Sequence, residues 1–444
     1  MTKDMTEGNP LRLLINFSIP LLLGTLFQQL YNLVDTIIVG KYLGLSALSS
    51  VGSTISIIYL VTGFCTGVCN GFAIPVAQQF GAKDYVKMRK YVMNGVYLAI
   101  GIAAVITSVV VFFCRDILTI IRMPEEIFEQ TYAYLVVIFA GVPFVFLYNL
   151  TAGILRALGD SKRPFYFLLA STVLNIILDF VFILGIGMNV DGAAYATVFS
   201  QAFSGILCLG YMRKNYEILQ IKADEKSITG SYMYDLSKTG IPLGLLSCIT
   251  GIGSVMLQSA INSLGMIYVA AYTAVSKLQQ FSLTPFIAMD SAIATFTSQN
   301  YGAGKINRIK SGIWAGLLVY GVLSVLMIAV LVPAGDKIAL IFVDSSETEV
   351  LKMVDLFFKC STPFYVVVAV LDTYRSAIQG LGYSSASMAA GVCELGVRAV
   401  MAMAVIPAVG YIGVCFTDAF AWVAGAVCVV VMYKVIMKKI PEKA

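Results

Sequence analysis

Six carboxylates lie within long apolar stretches of the sequence that otherwise carry almost no charge. They are Asp35, Asp179, Asp290, Asp372, Glu394 and Asp418. A carboxylate at the centre of a bilayer costs roughly 3 kcal/mol on insertion scales, so such residues are retained where they bind ions, relay protons or meet a cation. The chain contains no histidine, which leaves carboxylates as the natural proton carriers near neutral pH. The pattern indicates ion-coupled transport across a membrane.

Four residues of the N-terminal half have the types and spacing of a cation or proton site. Asp35 lies deep in the first apolar stretch, and Thr197 adds a hydroxyl in the sixth. Asn175 and Asp179 are four residues apart, so they share one face of a helix. Two neighbouring aspartates cannot both ionise cheaply, and their oxygens suit Na⁺ or a shared proton. We expect Asp35 and Asp179 to act as a coupled pair, with interhelical hydrogen bonding as the structural alternative.

Aromatic residues beside this set, and polar residues of the C-terminal half, are candidates for a substrate cavity. Phe27 and Tyr31 precede Asp35 by successive steps of four residues, and aromatic faces beside a carboxylate suit a flat cation. Packing or contact with lipid is the alternative for these rings. The further candidates are Gln258, Asp290, Asp372 and Glu394. Asp290 has no cation close to it in sequence and fits substrate contact or a structural network equally.

The charges of the C-terminal half also admit a purely structural explanation. Glu394 precedes Arg398 by four residues, and Asp372 precedes Arg375 by three. These spacings permit an ion pair within one helix, which would neutralise a buried charge. Asp418, near the start of the last apolar stretch, is expected to face a water-filled opening.

The composition is that of a membrane protein. Hydrophobic residues fill 59% of the 444 positions and charged residues 12%, against roughly 25% charged residues in a soluble globular protein. Charge-free tracts recur, each long enough for a membrane-spanning helix of about 20 residues. The sequence predicts an all-α integral membrane protein with twelve spans, at 13–38, 48–77, 91–113, 131–154, 165–187, 192–212, 239–263, 268–299, 311–334, 351–379, 386–407 and 411–433. The first span is preceded by a polar segment without a cleavable signal pattern.

Neither a metal site nor a nucleic-acid surface is expected. Cys65 and Cys69 are one helical turn apart, but no histidine or further nearby cysteine completes a metal-binding set among the nine cysteines. The net charge of +5 comes from basic residues in short loops rather than from a basic domain. A cytoplasmic N-terminus places 21 Lys and Arg on the cytoplasmic side and five outside. The positive-inside rule therefore predicts that both termini are in the cytoplasm, with the protein in the inner (plasma) membrane.

The sequence repeats itself with a shift of 220–223 positions. Ile19-Pro20 recurs as Ile241-Pro242, the stretch QQFGAKD at 78–84 matches QNYGAGK at 299–305, and Pro143-Phe144 recurs as Pro363-Phe364. Ordered matches at one offset indicate an internal duplication. Each half has six spans, so we predict parallel repeats forming two six-helix bundles around a central cavity. The predicted division is 1–212, a cytoplasmic linker at 213–238, and 239–444.

At these residues the chain resembles the multidrug and toxic compound extrusion (MATE) family. The resemblance covers essentially the whole chain, through the twelve spans, the two halves, the motifs at 78–84 and 299–305, and the first-helix motif LYNLVDTIIVG at 30–40. It implies a non-enzymatic exporter of large, mostly cationic amphipathic drugs or dyes in exchange for H⁺ or Na⁺. It implies no cofactor and, besides membrane lipid, no macromolecular partner, so we expect a monomer.

Within that family the chain is more similar to the DinF-like branch than to the NorM branch. The DinF-like pattern combines an aspartate on helix 1 with an N-x-x-x-D pair on helix 5 and a threonine on helix 6, matched here by Asp35, Asn175, Asp179 and Thr197. It also implies a bend in helix 1 at the position of Pro20. The NorM pattern has an acid on helix 7, where this chain has only Gln258, so a NorM-type sodium site in the C-terminal half is not expected. The missing acid favours H⁺ over Na⁺.

Three other functions remain compatible with parts of the pattern. A flippase for lipid-linked sugars would share the twelve spans and two halves, but would favour a cationic cavity for diphosphate. A membrane-embedded aspartyl enzyme could use Asp35 and Asp179 as a dyad, although the internal duplication disfavours it. A channel fits poorly with two halves suited to alternating access.

Overall fold

The computed structural model describes residues 3–440, and every regular element in that range is a helix. A chain that crosses hydrocarbon must satisfy its backbone hydrogen bonds within each segment, which only helices and closed barrels achieve. The helices are α1 (Pro10–Leu43), α2 (Leu45–Gly81), α3 (Tyr85–Phe112), α4 (Cys114–Ile120), α5 (Glu125–Ala140), α6 (Val142–Ala157), α7 (Lys162–Asp179), α8 (Val190–Asn215), α9 (Gly230–Asn262), α10 (Met266–Gly302), α11 (Ile306–Ala339), α12 (Thr348–Ser361), α13 (Tyr365–Gly380), α14 (Ser384–Val400), α15 (Ile406–Val409) and α16 (Tyr411–Lys439).

These helices confirm the all-α membrane fold expected from the sequence. Ten continuous helical segments are long and apolar enough to cross a membrane, and α5 with α6 forms another that bends by 41°. The bend falls at Gly141, just before Pro143, which has no backbone N–H to continue the helix. α10 is also long enough, at 37 residues, but its sequence is more polar than those of the other segments. Each of the twelve predicted spans falls on one of these segments, and three of them, 91–113, 165–187 and 239–263, run one or two residues past its end.

The two halves share their helix boundaries as well as their sequence motifs. α2 and α10 are both 37 residues long and begin 221 positions apart. Gly44 and Gly265 precede them with φ angles of 87° and 114°, a backbone conformation that glycine adopts without strain. A π-helical turn follows α7 at Phe180–Gly185, and another follows α14 at Met401–Val405. The same irregularity at the same repeat position supports two repeated halves.

The described chain divides into two compact units whose boundary falls inside helices. Unit 1 contains residues 3–4 and Ile19–Gly244, and unit 2 contains Met5–Ser18 and residues 245–440. α1 and α9 therefore each contribute residues to both units. The sequence division placed the boundary in the polar stretch 213–238, whereas the compact units change along α9, after Gly244.

Polar contacts attach the start of the chain to unit 2. The backbone N–H of Met5 donates to Gln299 Oε1 at 2.8 Å. The ammonium group of Lys305 donates to the backbone carbonyl of Thr6 at 3.0 Å. These bonds hold the segment that leads into α1 against the ends of α10 and α11.

The polar stretch between α8 and α9 is bound to α3. Arg89 donates from Nη2 and Nε to the two oxygens of Glu225, at 2.6 and 2.7 Å. Glu225 is only 1% exposed, and its hydrogen bonds from Arg89 lower its pKa to about 2. The Asn94 side chain accepts a hydrogen bond from the backbone N–H of Thr229 at 2.9 Å. The linker predicted from composition is thus an ordered segment that is hydrogen-bonded to α3 of unit 1. Glu225 is ionised at physiological pH.

The first part of α9 packs on α2 through glycines in both helices. Gly67 and Gly71 on α2 face Gly240 and Gly244 on α9, and each pair has the spacing that lets two membrane helices approach closely. A Cβ atom on Gly71 would lie 2.4 Å from the Gly240 Cα, and one on Gly67 would lie 2.5 Å from the Leu243 carbonyl oxygen. The two backbones are in direct contact within unit 1.

We expect Gly71→Ala to destabilise the protein by about 1–3 kcal/mol, because the added methyl group must push the two backbones apart. Gly52→Ala is the matched control, since Gly52 lies on the same helix with open space around its Cβ position. Thermal unfolding in detergent should show a lower midpoint for Gly71→Ala only. Equal midpoints for the two variants would contradict the contact.

Candidate functional site

The carboxyl groups of Asp35 and Asp179 meet in unit 1, where α1 and the end of α7 come together. They are close enough for a hydrogen bond between the two side chains. Asp35 is 8% exposed and Asp179 is fully buried. Asp35 Oδ1 and both Asp179 carboxylate oxygens accept no hydrogen bond from any described residue. Because ionised carboxylates only accept hydrogen bonds, a proton on one of them is required before the pair can bond.

Other buried polar atoms of α7 and α8 also lack partners among the described residues. Asn175, one turn before Asp179, is 2% exposed, and neither of its amide atoms has a partner within residues 3–440. The hydroxyls of Thr172 on α7 and Ser200 on α8 also have no hydrogen-bond partner among the described residues. Buried polar groups are normally hydrogen-bonded, and each one left unpaired costs about 1–3 kcal/mol. Such a concentration of free oxygens is typical of a site that holds an ion or a proton.

Helix geometry explains how Asp179 reaches this position. The hydroxyl of Ser171 donates to the backbone carbonyl of Ser200 at 2.6 Å, which ties α7 to α8. Asp179 is the last residue of α7, and the π-helical turn Phe180–Gly185 follows at once. π-Helical turns change the direction of the following side chains and occur frequently at functional sites. The position of the Asp179 carboxylate is therefore determined by α7 before it and by the π-helical turn after it.

Tyrosines complete the surroundings of the pair. Tyr31 on α1 and Tyr134 on α5 both lie within electrostatic reach of Asp35 and Asp179. Tyr134 is 6% exposed and was not identified from the sequence, where it is one aromatic residue in an apolar span. Its alignment with the pair depends on how α5 packs, and only the three-dimensional fold provides that information.

The other N-terminal candidates lie on α1, which carries Asp35, and on α8, which packs along α7. The ring of Phe27 packs on Phe165 of α7, with 6.2 Å between ring centroids. Thr197 lies half-buried on α8, which packs along α7. Its hydroxyl has no recorded bond to Asp35 or Asp179, so its role as an ion ligand stays a prediction.

The arginines of unit 2 pair between helices rather than along them. Arg375 on α13 bonds to Glu394 on α14 and lies 3.9 Å from Asp372 of its own helix. Arg398 bonds to Asp418 on α16 at 3.0 Å. The Glu394–Arg398 pair allowed by the sequence spacing does not form. The side chain of Asp418 is 13% exposed and holds an arginine, which corrects the expectation that it faces water.

The remaining candidates of unit 2 also have protein partners. The hydroxyls of Tyr320 and Ser376 donate to Asp290 Oδ1 at 2.6 and 2.9 Å. Gln258 donates to Asn262 Oδ1 at 2.8 Å, within α9. Unit 2 therefore binds its buried acids with arginines and hydroxyls, whereas unit 1 leaves its aspartate pair without a cation or a donor among the described residues.

Comparison of the sequence with family models identifies the family to which the chain belongs. The MatE model matches residues 20–181 and 242–404, one segment in each half of the chain. The chain belongs to the MatE family. Relatives and structural neighbours of this family are transporters, so the protein is a transporter and not a membrane-embedded aspartyl enzyme.

Named relatives and a solved structure agree with this MatE assignment. The probable multidrug resistance protein YpnP of Bacillus subtilis is 32% identical over 311 residues, 69% of this chain and 68% of YpnP. The probable multidrug resistance protein YoeA of the same organism is 29% identical over 341 residues, 74% of this chain and 73% of YoeA. An outward-facing MATE family transporter of the MOP superfamily shares the fold over 99% of both chains, with a TM-score of 0.91 and 21% identity.

We expect Arg375→Ala to destabilise this MatE protein by about 3–5 kcal/mol, because Glu394 and Asp372 would remain buried without their cation. Replacing Arg375 and Glu394 together by methionine should recover the part of that loss that comes from Glu394, since only Asp372 then remains without its cation. Thermal unfolding of the two variants in detergent makes the comparison. An equal loss in both would show that Arg375 acts through packing and not through its charge.

Proposed function

We propose that this MatE protein is a secondary active exporter of amphipathic organic cations and takes up H⁺ or Na⁺ in exchange. The observation that carries the proposal is the buried Asp35–Asp179 pair, which has neither a cation nor a hydrogen-bond donor within the described chain. The names of the relatives YpnP and YoeA as probable multidrug resistance proteins support export of drugs or dyes. The transporter needs no cofactor beyond the coupling ion.

The exchange follows from electrostatics at the pair. An organic cation near Asp35 stabilises the ionised carboxylate, and a proton on the pair removes that attraction. Phe27 and Tyr31 would offer ring faces to the same cation. Protons that enter from outside therefore expel the cation, and their release to the cytoplasm restores the site.

The site favours H⁺ as the coupling ion. A proton needs only the two carboxylates, which lie within hydrogen-bonding distance of each other. Sodium would require further oxygen ligands, for which Asn175 and Thr197 are the candidates. On α9, Gln258 is bonded to Asn262 and offers no acid for a second sodium site.

The charge distribution of the loops supports an orientation in the plasma membrane. With 21 Lys and Arg in the loops and termini on one side and five on the other, both termini are proposed to be cytoplasmic. We further propose a monomer with an N-terminal lobe at 1–212, a linker at 213–238 and a C-terminal lobe at 239–444.

Amide variants of the two aspartates test the coupling site. Asp35→Asn and Asp179→Asn should each reduce proton-gradient-driven efflux of a cationic dye from proteoliposomes by tenfold or more, about 1.4 kcal/mol or more. Dye binding to the unmodified protein in detergent should weaken as the pH falls, because protonation removes the charge that attracts the dye. Asp35→Asn should flatten that dependence.

Glu129→Gln is the matched control, since Glu129 is an exposed carboxylate paired with Arg115 away from the site. It should leave both efflux and the pH dependence of binding unchanged. Unchanged efflux in both aspartate variants, or an affinity of the unmodified protein that does not vary with pH, would reject the exchange scheme.

Pro20 is the proposed bending point of α1. The helix runs unbroken through Pro20, which lies next to the change from unit 2 to unit 1 after Ser18. Proline removes one backbone hydrogen bond and weakens a helix locally.

Pro20→Ala should therefore slow dye turnover several-fold while changing dye affinity by less than about twofold. Pro333→Ala is the matched control, because Pro333 lies inside α11, a helix contained in one unit. Transport rates in proteoliposomes and dye binding in detergent separate the two effects. Equal slowing by both substitutions would show that helix stiffness in general, and not a bend at Pro20, controls the rate.

A further inference from the structure

A cavity of about 730 Å³ lies in unit 2, where α10 begins and α11 passes into α12. Its volume falls within the range of sites that bind small molecules, roughly 300–1,000 Å³. Apolar side chains form most of its wall, among them Met266 on α10, Phe342 in the turn after α11, and Val350 on α12. All of its lining residues belong to unit 2.

Lys277 lies on the α10 side of this cavity. Two arginines in the apolar helices of unit 2 hold carboxylates: Arg375 holds Glu394, and Arg398 holds Asp418. The Lys277 side chain is exposed and makes no ion pair or hydrogen bond with any of the residues that the structure describes. It stands eleven residues into α10, about 16 Å along the helix, where an unpaired charge marks a functional site by default.

Two acids also line the cavity, in the turn between α11 and α12. Asp344 and Glu347 both line it and are exposed. The backbone N–H and the hydroxyl of Ser346 donate to Asp344 at 2.9 and 2.8 Å. These bonds lower the pKa of Asp344, so its carboxylate stays ionised. Among the described residues neither acid forms an ion pair with Lys277, which leaves the two kinds of charge free to bind opposite ends of one ligand.

We propose that this cavity binds an amphipathic zwitterion, whose anionic group meets Lys277 and whose cationic group meets Asp344 and Glu347. The apolar body of the ligand packs on Met266, Phe342 and Val350. Charge complementarity selects this class, because a simple cation would leave Lys277 unpaired and a simple anion would meet two like charges. A lipid headgroup has similar charges, and the lipid displacement measurement below distinguishes it from a small zwitterion.

A matched pair of dyes isolates the contact with Lys277. Rhodamine 110 carries a free carboxylate, and rhodamine 123 is its methyl ester with the same ring system. Fluorescence anisotropy with the full-length protein in detergent measures both affinities. Lys277→Gln should weaken binding of rhodamine 110 about tenfold and leave rhodamine 123 unchanged, while Lys277→Arg should retain both affinities. Lys352→Gln is the matched control, since Lys352 is an exposed lysine paired with Glu349 outside the cavity.

Variants of the two acids provide a second, independent test of the proposal. Asp344→Asn combined with Glu347→Gln should weaken both dyes, because both carry the same cationic ring system. An equal effect of Lys277→Gln on the two dyes, or none on rhodamine 110, would overturn the proposal. Displacement of rhodamine 110 by phosphatidylethanolamine in mixed micelles that depends on Lys277 would replace the small-molecule occupant by a lipid.

Asp35→Asn separates this site from the proposed coupling site. The Lys277-dependent difference between the dyes should persist in that variant, whether or not Asp35 takes part in transport. Loss of the difference in Asp35→Asn would mean that the dyes report on the carboxylate pair, and would also count against a distinct zwitterion site.

Discussion

The free-energy cost of an ionised group in hydrocarbon governs how the polar residues of this MatE protein are arranged. In unit 2 each buried acid has a partner that offsets the cost: Arg375 holds Glu394, Arg398 holds Asp418, and two hydroxyls hold Asp290. In unit 1 no such partner compensates Asp35 and Asp179. An uncompensated pair persists only if something else lowers its energy for part of the transport cycle. A proton or a bound cation has this effect, and that requirement links the fold to transport.

The internal repeat shows how one scaffold carries two kinds of chemistry. The halves agree in helix length, in the glycines before α2 and α10, and in the π-helical turns after α7 and α14. At the repeat shift, however, Leu257 and Val400 stand where unit 1 has Asp35 and Asp179. Backbone geometry is repeated because both halves must cross the same bilayer. The pair of acids, in contrast, occurs in unit 1 alone among the described residues. The duplication therefore does not create two equivalent ion sites.

Sequence reasoning was strongest where a local pattern carries the information. Long apolar tracts predicted the membrane-spanning helices, and the four-residue step from Asn175 to Asp179 placed both on one helix face. It was weakest where the partner lies on another helix. The spacing of Glu394 and Arg398 permits an ion pair within α14, but the energy of a cross-helix bond depends on packing that no single-helix pattern contains. The same limit hid Tyr134 beside the aspartates and the Arg89–Glu225 bond that orders the linker.

α1 and α9 are the two helices that each contribute to both compact units. The segment leading into α1 is bound to unit 2 through Met5 and Thr6, and the first part of α9 is held to α2 by backbone contact at Gly71. Any rearrangement of the units must therefore be absorbed within these two helices, unless their attachments break. Each has a proline beside the position where it changes unit, Pro20 in α1 and Pro242 in α9. Because Asp35 also lies on α1, a change of charge at the carboxylate pair acts on a helix that already belongs to both units.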